Sequence, residues 1–77
     1  MDKRTLPLNG ETVGGIVTAL GAVVFATVRR LPASERKAFA DDLAAMAQAR
    51  SDVGDTTGET LLIDLHRAAV VAAGSQG

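Results

Sequence analysis

Residues 12–28 read Thr-Val-Gly-Gly-Ile-Val-Thr-Ala-Leu-Gly-Ala-Val-Val-Phe-Ala-Thr-Val, a stretch without a single charge. Gly14, Thr18, Ala22 and Ala26 recur every fourth residue and form a row of small side chains along a helix. Such a row lets a second helix approach to the short end of the usual range of about 8–10 Å, where dispersion contacts are strongest. Val13, Ile16, Val17, Leu20, Val23, Val24, Phe25 and Val28 lie around it on nearly every side. That is the pattern of a helix buried all round. Gly14, Gly15 and Gly21 each cost a helix about 1 kcal/mol relative to Ala, so close packing is expected to offset them.

The ends of this first helix are marked. Asn9 can cap it through its side-chain oxygen, and Leu8 can staple against Val13. Glu11 suits the positive end of the helix dipole, and Arg29 with Arg30 the negative end. Pro32 disfavours helical geometry in Leu31, so the helix should stop there. Residues 1–8, with Pro7 and no apolar periodicity, read as an extended N-terminal arm.

A second helix is expected to begin within Pro32–Glu35, with Ser34 as its cap, and to run to about Arg50. Phe39, Leu43, Met46 and Arg50 keep helical spacing, and Ala40, Ala44 and Ala47 widen the same stripe. Residues 51–58 carry two glycines and several turn-forming residues, which makes them the one clear loop. Thr56 and Glu59 then form a capping box for a third helix ending near Ala73. Its buried side is expected to hold Leu61, Leu62, Leu65, Ala68, Ala69 and Ala72, with Asp64 and Arg67 outside. Gly74 supplies the stop, and residues 74–77 a frayed tail.

These elements make a small all-α domain of three helices over residues 9–73. At 77 residues with two phenylalanines as its only aromatics, the chain has little apolar area with which to balance its ordering entropy. It has no cysteine for a disulfide and one histidine, which argues against a structural zinc. Close packing plus oligomerisation remains. Two helices from so short a chain can hardly surround a third, so a homodimer packed through the apolar first helix is expected. Gly14, Thr18, Ala22, Ala26, Val17 and Phe25 are the candidate contacts.

The formal net charge is −1, so there is no global attraction to nucleic acid. Its distribution is uneven. Arg29, Arg30, Arg36 and Lys37 form a candidate basic patch, whereas Asp41, Asp42, Asp52, Asp55 and Glu59 form a candidate acidic partner-binding surface. The basic cluster lacks stacking aromatics and any recognisable DNA-reading motif, which argues against nucleic acid as the partner. About 17 uncharged residues sit at the short end of what spans a bilayer. Three glycines, two internal threonines and a single leucine further weaken that alternative. Glu11 stands where a secretory signal would carry positive charge.

The sequence offers no catalytic constellation. His66 is the only histidine, on the flank of the third helix and off the face of Asp64, and no serine sits in a nucleophile elbow. Asp52, Asp55 and Glu59 lack EF-hand spacing, and the glycines of residues 10–15 lack a P-loop lysine. No cofactor and no metal are implied. The expectation is a cytoplasmic, noncatalytic protein-binding regulator or inhibitor whose partner is itself and an unidentified protein. Chains of this size and type are common among phage and mobile-element accessory proteins, antitoxins and anti-CRISPR inhibitors included, an analogy that rests on size and type alone.

Overall fold

The computed structural model describes residues 9–74, which form three α-helices and no strand: α1 Gly10–Arg30, α2 Ala33–Asp52 and α3 Thr56–Ala73. The expected arm of residues 1–8, its Leu8 staple, and the tail from residue 75 onward lie outside the described residues.

The helix boundaries follow local chemistry. Asn9 is extended and its Oδ1 accepts from the Thr12 N–H at 2.9 Å. Leu31, before Pro32, is likewise extended and ends α1. Arg36 reaches back over that end: its Nε donates to the Leu31 carbonyl at 3.1 Å and its Nη2 to the Arg29 carbonyl at 3.0 Å. Positive charge thus sits on carbonyls that the helix leaves unsatisfied.

Two boundaries differ from expectation. Pro32, not Ser34, stands at the N-cap of α2 with φ −54° and ψ 148°, and its ring, which has no acceptor, makes no side-chain bond to the first turn. The helix also outlasts Arg50 and shortens the loop to Val53, Gly54 and Asp55. It ends in a Schellman motif, with the Gly54 N–H bonded to the Ser51 carbonyl at 3.0 Å and the Asp55 N–H to the Arg50 carbonyl at 2.8 Å. Gly54 supplies the left-handed φ of +77° that this motif requires.

Asp55 rather than Thr56 caps α3. Its Oδ1 accepts from the Gly58 N–H at 2.8 Å, so Thr56 is already helical and the expected Thr56–Glu59 capping box does not form. Asp55→Ala is therefore expected to lower stability by about 1 kcal/mol in chemical denaturation, whereas Thr56→Ala should stay within about 0.5 kcal/mol.

α3 is the central element. It packs against both α1 and α2, which barely touch each other. Among the described residues the buried ones are Val28, Ala40, Ala47, Ala69 and Ala72, with Val24, Phe25, Phe39, Leu43 and Ala73 packed around most of them. The covered side of α3 is the expected one, from Leu61 to Ala72. On α2 the covered side is Arg36, Ala40, Leu43 and Ala47; Met46 and Arg50, expected on the stripe, and Ala44, expected to widen it, face outward instead.

α1 departs most from expectation. Only Val28 of its residues is buried. Its covered side carries Val17, Gly21, Val24 and Val28, spaced i, i+4, i+7 and i+11. A Cβ built at Gly21 would stand 3.9 Å from the Ala68 Cβ, so the closest approach of α1 to α3 falls at Gly21. A single neighbour covers one side of a helix, and α3 is that neighbour.

Candidate interaction surfaces

The small-residue row has no neighbour within the chain. Gly14, Thr18, Ala22 and Ala26 are all exposed, and nothing lies within 4 Å of a Cβ built at Gly14 or Gly15. The Thr18 hydroxyl donates back to the Gly14 carbonyl at 2.9 Å, which satisfies the only side-chain polar group of the row. Of the other two candidate contacts, Val17 is half-buried on the α3 side and Phe25 half-buried against the core. Phe25 also carries the Arg29 guanidinium, 5.9 Å from its ring centroid. Phe25, Ala26, Arg29 and Arg30 line an open groove of about 490 Å³ at the C-terminal end of α1.

A second face emerges from the packing. Val13, Ile16, Leu20 and Val23 are 39%, 44%, 47% and 61% exposed and follow one another by three or four residues, which makes a continuous apolar stripe on the outside of α1. Their 3–4 spacing is visible in the sequence. What was missing there is which side α3 would cover. Ile63, Val70 and Val71 add exposed apolar surface on the outer side of α3.

The charged candidates are only partly gathered. Arg29, Arg30 and Arg36 meet around the α1–α2 turn, but Arg36 is spent on α1 carbonyls. Lys37 is bound to Asp41 at 2.8 Å. Among the acidic residues, Asp52 accepts from Gln48 at 2.9 Å, and Asp55 is the α3 cap with Arg50 at 3.9 Å. Asp41 and Asp52, three turns apart, share the solvent side of α2, whereas Asp42 lies a quarter-turn round, beside Phe39 in a shallow groove with Leu31, Glu35 and Ala38. Glu59 is half-buried in the first turn of α3.

His66 ties α3 to α2. Its Nδ1 lies 2.9 Å from the Ala40 carbonyl, and since a carbonyl only accepts, Nδ1 carries the proton. Asp64 turns to Arg67 at 3.6 Å, so the two neighbours in sequence serve different partners. Among the described residues no group of three or more acidic or histidine side chains could hold a metal ion.

The chain is thus an all-α protein of three helices in which one long apolar helix keeps most of its surface uncovered. Set against protein-family models, curated proteins and solved structures, it matches none of them.

Proposed function

We propose that the chain is a noncatalytic, protein-binding regulator or inhibitor, of the phage or mobile-element accessory type, that works as a cytoplasmic homodimer joined through α1 and occupies a surface of a larger complex. The observation that carries this is the exposed apolar stripe of Val13, Ile16, Leu20 and Val23. Contiguous apolar surface of this kind marks an interaction site on a soluble protein. The acidic side of α2, with Asp41 and Asp52, supports steering towards a basic target, since charge chiefly sets association rate and specificity. Asp55 contributes less, because its carboxylate is committed to the α3 cap.

The test is affinity capture from the native host with wild-type chain, Leu20→Glu, and a triple charge reversal at Asp41, Asp42 and Asp52. Leu20→Glu is expected to lose the captured protein while remaining helical, and the triple reversal to weaken capture. Undiminished capture by Leu20→Glu would remove the stripe from the binding surface. The Arg29–Arg30 pair as a nucleic-acid contact draws less support, with Arg36 and Lys37 already engaged within the chain.

A membrane span is the second reading, favoured by one specific observation. α1 has the length to cross a bilayer and an 18-residue stretch with a mean hydropathy of 1.7, of which little is buried. Insertion would, however, strip α1 from α3 and expose Val28, Ala69 and Ala72, the tightest part of the core. Partition of the intact protein into detergent rather than buffer would favour the span over the soluble regulator.

A further inference from the structure

Glu11 and Arg29 stand 18 residues apart, about five helical turns, and so lie on one meridian of α1 roughly 27 Å from each other. Both are exposed, and neither has an oppositely charged partner among the described residues. Between them on the same side run Gly15, Thr18, Ala22 and Phe25, none of which demands a polar partner: the Thr18 hydroxyl is already bonded to Gly14. One chain cannot bring the two charges together. A second copy running the opposite way can.

We infer that α1 pairs antiparallel with α1 of a second copy across this meridian, with the two-fold axis level with Leu20, so that Glu11 of each chain meets Arg29 of the other. This rests on the homodimer proposed above and specifies its direction and register. In that register Gly15 lies opposite Phe25. The thin N-terminal half of α1, where a Cβ at Gly14 or Gly15 would meet nothing, enters the groove lined by Phe25, Ala26, Arg29 and Arg30. The Phe25 ring holds Arg29 at the groove mouth. Antiparallel pairing also sets the two helix dipoles head to tail. The stripe of Val13, Ile16, Leu20 and Val23 lies on another side of α1 and stays open to a partner protein.

The experiment uses the full chain, which lacks cysteine. Light scattering establishes the mass of the wild type. Glu11→Arg and Arg29→Glu are each expected to weaken the dimer about tenfold, since every pair occurs twice, and the double exchange to restore it. A mixture of Thr18→Cys and Ala22→Cys chains should oxidise to the mixed disulfide, because residues 18 and 22 flank the meridian closely and lie level with each other across the two-fold axis. A parallel dimer would instead give Thr18→Cys and Ala22→Cys chains each linked to their own kind, and would show no rescue by the exchange. A wild-type monomer overturns the homodimer and this arrangement with it. A dimer without rescue or mixed disulfide overturns the arrangement alone.

Discussion

Val28→Asp is expected to abolish cooperative unfolding at ordinary temperature. Val28 is completely buried at the point where all three helices contribute to one cluster, with Ala40 of α2 and Ala69 and Ala72 of α3. Removing its side chain forfeits about 1.5–3 kcal/mol of burial. The introduced carboxylate has no buried polar group to pair with among the described residues and adds several kcal/mol more. A chain of this length has roughly 4–12 kcal/mol of stability in total. Thermal melts followed by circular dichroism should therefore show little or no transition, and a melt within a few degrees of wild type would contradict the assigned core.

Ala69→Leu should produce the next largest effect. Ala69 is fully buried on the central helix, and the small side chains there let α3 sit close to its neighbours. A leucine would have to push a helix aside, at about 2 kcal/mol, or roughly 10 °C in melting temperature for a domain of this size. Val71→Ser, two residues further on but exposed, should stay within about 0.5 kcal/mol. Equal losses in the two variants would mean that the outer side of α3 is covered and the assignment of the central helix is wrong.

The legible parts of the fold were those set by local chemistry. Asn9, Pro32 and the leucines of α3 each act within a few residues, so α1 starts and stops where the sequence places it and α3 buries its expected side. The phase of α2 was harder to read. With Ala40, Ala44, Ala45, Ala47 and Ala49 spread around it, the helix offers little contrast between sides, and Ala40 with Ala47 won the core over Met46 through proximity to α3. The cap of α3 was misplaced for a related reason: Asp55 and Thr56 are both good caps, and only the Schellman turn at Gly54 decides between them.

The surfaces were less legible than the fold. All-round apolarity in α1 signals that something covers it, but the sequence does not say how much comes from the same chain. Packing on α3 divides that apolar surface into a covered side, a small-residue side flanked by Glu11 and Arg29, and the outer stripe through Leu20. The charge split between the basic turn and the acidic segment, evident as a pattern along the chain, is largely consumed by Arg36 on α1 carbonyls, Lys37 with Asp41 and Asp55 as a cap.

The uncovered surface of α1 as an assembly surface is tested most directly by the mass of the intact protein in detergent-free buffer at micromolar concentration, by light scattering during size exclusion. The expected result is a species of twice the 7.9 kDa chain mass. A stable, soluble species of 7.9 kDa would contradict it.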